Sequence, residues 1–193
     1  IIINSGTIEI TAVDDGLNAH DDITITDGDV YISSGGDGLD SNGTINISGG
    51  TVISLGSTAG GDGGLDAVGT LTITGGFVVG GGNSIAAPGS DSTQASVYLS
   101  TGATQAAGTV VTVTRDGEEI LTVTPDKEFQ NILISSSELL ADHDYQVYVS
   151  SSATAITVIA AIVPASAGVM DGAAGGGAPA AAGAAGAPFE GQQ

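Results

Sequence analysis

Residues 36–40 read Gly36-Asp37-Gly38-Leu39-Asp40, and the phrase has a copy on either side. Asp15-Gly16-Leu17-Asn18 precedes it and Asp62-Gly63-Gly64-Leu65-Asp66 follows it. The leucines of the three copies step by 22 and then 26 residues. Two more markers keep the same step. One is Gly6-Thr7-Ile8, Gly28-Asp29-Val30, Gly50-Thr51-Val52 and Gly76-Phe77-Val78; the other is Ile1–Ile3, Ile23–Ile25, Ile45–Ile47 and Leu71–Ile73. Three markers moving together define a repeat, and its four extra residues fall in one loop at 56–60.

Inside each repeat apolar and polar residues alternate, which is the period of a strand and not of a helix. Short alternating segments, glycine turns and a repeat of this length predict an all-β chain built on a right-handed parallel β-helix with 22-residue coils. Ile23, Ile25, Val30 and Ile32 point inward, as do Ile45, Ile47 and Val52 one coil on. Coils stack about 4.8 Å apart, so each position in the repeat becomes a column along the axis.

Composition narrows the partners. Lys and Arg number two, Arg115 and Lys127, against 22 acids, for a net charge of −20. Such a surface repels nucleic acid and anionic lipid and attracts cations. Cysteine is absent, which rules out a disulfide framework and thiol chemistry. The longest apolar stretch, 155–163, is too short to cross a bilayer, so no membrane insertion is expected. The chain opens at Ile1 already in repeat register, which is the expectation for a processed or partial form of an exported protein.

In chain order, 1–82 is the solenoid of about four coils, holding 11 acids and no Lys or Arg. A polar linker with Pro88 occupies 83–94, and a small antiparallel β module occupies 95–164. Its strands are expected at 96–100, 110–114, 120–124, 130–135 and 145–150, with Asp116-Gly117 as a turn and 153–163 as one more apolar strand. The Ala/Gly/Pro-rich tail 165–193 has too little to bury to order by itself.

Aligned on the leucine, Asn18, Asp40 and Asp66 form one column, and Asp15 and Asp37 form another beside it. Carboxylates stacked one coil apart, with no basic residue near them in sequence, need raised pKa values or a bound cation. Oxygen-only ligands on glycine bends suit Ca²⁺, and the candidate ligands are Asp15, Asn18, Asp37, Asp40, Asp62 and Asp66. The same residue types also serve as turn formers that accept bonds from backbone N–H groups. Gly35 to Asp40 fits six positions of the nonapeptide Ca²⁺ repeat as well, yet Asn42 breaks its apolar position and no nine-residue period follows.

A second outward column reads Glu9, Tyr31, Ile53, Val79, flanked by Thr7, Asp29, Thr51, Phe77. An apolar stripe of Tyr31, Ile53, Phe77 and Val79 calls for a cover, either the C-terminal module or a neighbouring subunit. Left open, Tyr31 and Phe77 would offer rings two coils, about 10 Å, apart for stacking on sugars. A third face carries the ladder Ile2, Thr24, Asn46, Thr72, as expected for any solvated sheet. His20 and His143 lie in different parts of the chain with no nucleophile motif around them. The solenoid also lacks the base a sugar lyase needs, so no enzyme is expected.

The phrases DDGLNA, GGDGLDSNGTINISGGTV and GGLDAVGTLTITGGFVVGGG, followed by AGTVVTVTRDGEEILTVTPDKEFQNILISSSEL and YQVYVS, closely resemble the extracellular carbohydrate-binding parallel β-helix family of bacteria and archaea. The resemblance covers 1–152. It implies a pectate-lyase-like fold, Ca²⁺ at the turns of Asp15/Asn18, Asp37/Asp40 and Asp62/Asp66, and binding of cellulose or acidic sugars without cleavage. Here Gly63 stands where the third turn would carry its aspartate, with Asp62 one place earlier. An extracellular or cell-surface polysaccharide binder is therefore expected, with a purely structural filament subunit as the alternative. Head-to-tail homo-polymerisation is a further expectation, through the first-coil edge at Ile1, Ile2 and Ile3 and a donated strand bearing Ile156, Val158, Ile159 and Ile162.

Overall fold

Alternation puts every second side chain of an extended segment on one side, and a glycine-marked bend then turns the chain so that the next segment buries the same side. The computed structural model describes residues 1–141, 143–151, 154–158 and 161–163, and it follows that logic coil by coil. Coil one holds β1 (Ile2–Ile3), β2 (Thr7–Ala12) and β3 (Leu17–Ala19); coil two holds β4 (Ile23–Ile25), β5 (Asp29–Ser34) and β6 (Leu39–Ser41). In coil three the first two strands fuse into β7 (Ile45–Leu55), followed by β8 (Leu65–Ala67), and coil four is β9 (Leu71–Gly82). No helix occurs among the described residues.

Parallel pairing advances one coil per step. Ile3, Ile25, Ile47 and Ile73 lie opposite one another, and so do Leu17, Leu39 and Leu65. These columns fill the solenoid core, where Ile23, Ile25, Ile32, Leu39, Ile45, Ile47, Leu65 and Ile73 are fully buried. The bend between the first two strands of each coil is a column of Gly6, Gly28, Gly50 and Gly76, all in the left-handed region with φ between 80° and 106°. Only glycine enters that region without penalty.

The described residues beyond 82 complete the solenoid and do not stand apart from it. It contributes β10 (Ser96–Gln105), β11 (Val110–Arg115), β12 (Glu118–Val123), β13 (Phe129–Ser135), β14 (Gln146–Ser151), β15 (Thr154–Val158) and β16 (Ala161–Val163). Four of the expected strands start or end within a few residues of those observed, and β10 runs five residues further than expected, to Gln105. The turn at Asp116 (φ 54°) and Gly117 (φ 85°) joins β11 to β12, both residues in the left-handed region that a tight hairpin demands. Strand β13 pairs antiparallel with the second half of β9, with Ile134 opposite Val79 and Leu133 opposite Gly80. One sheet therefore runs unbroken from β1 through β9 into β13, β10 and β16.

Residues 83–94, expected as a linker, instead lie along the last coil. Ala86 N–H donates to Leu65 O (2.8 Å), Gly89 N–H to Leu71 O (2.7 Å) and Gln94 N–H to Ile73 O (3.2 Å), while Ile85 joins the solenoid core. The physical reason is the row of carbonyls that β8 and β9 would otherwise leave unpaired. A second core lies between the β9–β13–β10 side of this sheet and the sheet ordered β12-β11-β14-β15. Val79, Val97, Leu99, Ile132 and Ile134 meet Val111, Val113, Val123, Val147 and Val149 there around Phe129.

The stretch 153–163, expected as one strand available to a neighbour, divides in two. Strand β15 pairs antiparallel with β14, and β16 pairs antiparallel with β10. Ile156, Val158 and Ile162 are thus in strands paired within their own chain, while Ile159 and the tail 165–193 lie outside the described residues.

Candidate functional site

Two outward regions bring chemistry-bearing side chains together. The first is the turn face formed by β3, β6 and β8, whose register sets Asn18, Asp40 and Asp66 opposite one another. Carboxylate oxygens of Asp37, Asp40 and Asp66 lie within 4.8 Å of one another. Asp15 and Asn18 hold the neighbouring coil together instead. Asp15 accepts from Asp37 N–H (2.9 Å), and Asn18 Nδ2 donates to Asp15 (3.0 Å) and to Asp40 (2.5 Å). The same contact recurs one coil on, where Asp37 accepts from Gly63 N–H at 2.6 Å. Turn capping and carboxylate clustering therefore coexist in one column.

Electrostatics single out Asp37. Burial pushes its carboxyl up to about 7 against the opposing Gly63 hydrogen bond, and the charges of Asp66, Asp62 and Asp15 add to the rise. Asp40 is raised for similar reasons, burial first and then Asp15 and Asp66, with the Asn18 bond opposing. Oxygens bound to one Ca²⁺ at 2.3–2.6 Å lie no more than about 5 Å apart, so the spread of this cluster fits a single ion. Asp62 contributes charge beside the cluster but no oxygen to it.

The second region is a cleft of about 390 Å³ on the outer face of β2, β5 and β7. Its floor is made by Thr7, Glu9, Asp29, Tyr31, Thr51 and Ile53, and Asp126 closes one side. Asp126 belongs to a strap between β12 and β13 that is pinned to the solenoid by three successive side chains. Tyr31 OH donates to Asp126 Oδ1 (2.5 Å), Lys127 Nζ donates to Ser34 O, and Thr58 Oγ1 donates to Glu128 Oε1 (2.7 Å). Partial burial pushes the Tyr31 phenol up to about 12, with the Asp126 bond and charge and then the Glu9 charge adding to it. A smaller groove of about 240 Å³ continues past Ile53 to Phe77, Val79 and the 122–125 segment.

The profile of the family described as "Carbohydrate-binding domain-containing protein" matches residues 1–127. That is well over half of the chain. The chain belongs to this carbohydrate-binding domain family. No curated protein and no solved structure matches it.

Within this carbohydrate-binding domain, the match spans the solenoid, the capping segment and the strap up to Lys127, so both regions above lie inside or against it. The expected apolar stripe is mostly covered by the chain itself. Val79 is 2% exposed, and Phe77 and Ile53 pack against the second core. Phe77 and Val79 are therefore corrected from contact residues to packing residues, because the β12–β11–β14 sheet lies over them. Of the four, Tyr31 and Ile53 line the larger cleft, and Tyr31 keeps its half-buried ring there.

The coil edges needed for head-to-tail stacking are not both open. At one end Ile1 and Ile2 are exposed (44% and 72%) and Ile3 is buried. At the other, β13 and residues 83–94 occupy the edge of coil four. Among the described residues the edge of coil four is thus taken up by its own chain, and head-to-tail stacking is not shown.

Asp126 and Lys127 escaped the sequence reading. Their only signal is that one of the chain's two basic residues sits in Pro125-Asp126-Lys127-Glu128 between two strands. Nothing in the sequence places that loop against Tyr31, 95 residues away. The two histidines stay remote from both regions: His20 is exposed beside Asp21 (3.1 Å), and His143 Nδ1 faces Ala141 O.

Proposed function

We propose that this carbohydrate-binding domain is a non-catalytic, extracellular or cell-surface module that holds a polysaccharide chain in the Tyr31 cleft. The observation that carries the reading is the cleft itself: an aromatic ring framed by Glu9, Asp29 and Asp126 and shaped by a pinned strap. A half-buried ring can stack on the apolar face of a pyranose. Flanking carboxylates accept bonds from sugar hydroxyls, which are charge-assisted and shorter than neutral ones. From Thr7 in coil one to Thr51 and Ile53 in coil three the cleft crosses two strand spacings, roughly 10 Å. That length suits a short run of sugar units and favours a polymer over a single sugar.

The positions of the two basic side chains speak against a lyase-type reaction. Arg115 lies over the Tyr145 ring (5.9 Å) and Lys127 is spent on Ser34 O, so neither offers a proton acceptor to the cleft. On the same reading the Asp37, Asp40 and Asp66 cluster holds Ca²⁺, which would neutralise stacked carboxylates and tie adjacent coils. An acidic sugar such as polygalacturonate would bind on that turn face through the ion, with cellulose-type chains in the cleft.

Isothermal titration with cellotetraose tests the cleft. Tyr31→Ala should weaken binding by about fivefold, on the ~1 kcal/mol scale of a ring contact. Tyr31→Phe keeps the ring and should stay within about threefold of the parent. Undiminished binding in Tyr31→Ala, with its melting temperature intact, would sink the reading.

A further inference from the structure

We propose that the Tyr31 cleft prefers amino-sugar polymers whose nitrogens are protonated, namely deacetylated glucosamine chains, over neutral and acidic glycans. This rests on the cleft being the glycan site and names the ligand class for it.

Three carboxylates face one small volume. Glu9 and Asp29 rise from adjacent coils, one ladder apart, and Asp126 comes from the strap on the opposite wall. All three residues are exposed, so they meet a ligand without rearrangement. No Lys or Arg lines the space. The nearest cation, Lys127, follows Asp126 in the strap, but its ammonium is turned away to the Ser34 carbonyl. The Tyr31 hydroxyl gives its proton to Asp126, so the phenol cannot also donate to a sugar carboxylate.

The cleft consequently offers carboxylate acceptors in excess, with only the Thr7 and Thr51 hydroxyls as side-chain donors beside them. A uronate entering it would set its own carboxylate against three others. A neutral glucan can satisfy the acceptors through hydroxyls. A glucosamine chain does so through hydroxyls and, in addition, brings an ammonium on each ring within reach of a carboxylate. The chain's charge of −20 adds a long-range pull on any cationic polymer. Short defined oligomers are therefore needed to separate the cleft from the general field.

The experiment titrates the full chain with tetramers of glucosamine, N-acetylglucosamine, glucose in cellotetraose, and galacturonate, at about pH 6, where an amine keeps its proton. Glucosamine tetramer should bind about tenfold more tightly than cellotetraose or the acetylated tetramer, the size expected from one or two exposed ion pairs. Galacturonate tetramer should be the weakest in the presence of chelator. The double variant Glu9→Gln/Asp29→Asn should remove the glucosamine advantage, so that it binds the glucosamine and glucose tetramers equally. A control pair of equal charge far from the cleft, Asp21→Asn/Glu138→Gln, should leave the advantage in place.

An advantage that survives the cleft variant, or falls equally in the control pair, overturns the proposal in favour of the general field. Equal affinity for glucosamine and glucose tetramers overturns it as well, while cellotetraose binding that is lost in Tyr31→Ala keeps the cleft as the glycan site. Binding of none of the four tetramers overturns both.

Discussion

Gly38→Ala is expected to lower the melting temperature by roughly 6–12 °C, while Gly61→Ala leaves it within about 2 °C of the parent. A Cβ on Gly38 would stand 2.0 Å from Ser54 Oγ and 2.6 Å from the Gly64 carbonyl oxygen. Neither atom is free to retreat. Gly64 O accepts from Leu39 N–H (3.0 Å) and from Ser54 Oγ (2.6 Å), and Gly38 N–H is itself bonded to Gly63 O (2.8 Å). Relief must break a coil-to-coil hydrogen bond or push Leu39 out of the core. Overpacking of this kind costs about 3 kcal/mol, and each kcal/mol moves the midpoint of a chain this size by about 2–4 °C. A Cβ on Gly61 meets nothing within 4 Å, and the substitution restricts the unfolded chain. Thermal unfolding followed by circular dichroism distinguishes the two. Similar midpoints for both variants would show that the coils are not packed as tightly as these distances require.

The second large effect comes from Asp37. Its ordinary value is 3.8 and its folded value is about 7. Between these the folded protein holds a proton that the unfolded chain has released, so stability falls as pH rises. The metal-free protein should therefore be more stable near pH 5 than near pH 8. A three-unit gap corresponds to about 4 kcal/mol for a fully buried group. This side chain is only partly buried, and screening reduces the effect to roughly 1–2 kcal/mol. Asp40, raised as well, adds to the fall in the same direction.

Ca²⁺ should oppose this loss at pH 8, adding about 2.7 kcal/mol at a hundredfold excess over Kd. It should add little at pH 5, where the proton competes. Asp37→Asn should flatten the slope while keeping the bond from Gly63 N–H, and Asp40→Ala should remove most of the calcium response. Melting curves in chelator and in calcium, from pH 5 to 8, give all of these in one series. A chelator without effect at pH 8 excludes the ion, and a flat metal-free profile excludes the raised carboxyl.

Much of the architecture could be read from residue spacing because a solenoid is nearly one-dimensional. Each coil contacts only its neighbours, so the steps of Leu17, Leu39 and Leu65 already fix which residues stand opposite one another. The Asn18–Asp40–Asp66 column and the Glu9–Tyr31–Ile53–Val79 column follow from that alone. Tertiary structure decided what covers those columns. Sheet β12–β11–β14 closes over Phe77 and Val79, residues 83–94 bond to coil four, and the strap brings Asp126 to Tyr31. These contacts join segments with no shared period, and they are selected by which apolar faces and unpaired backbone edges remain once the coils have stacked. Repetition therefore determined the columns by itself, whereas the cleft exists only because a non-repeating module had to bury the last of them.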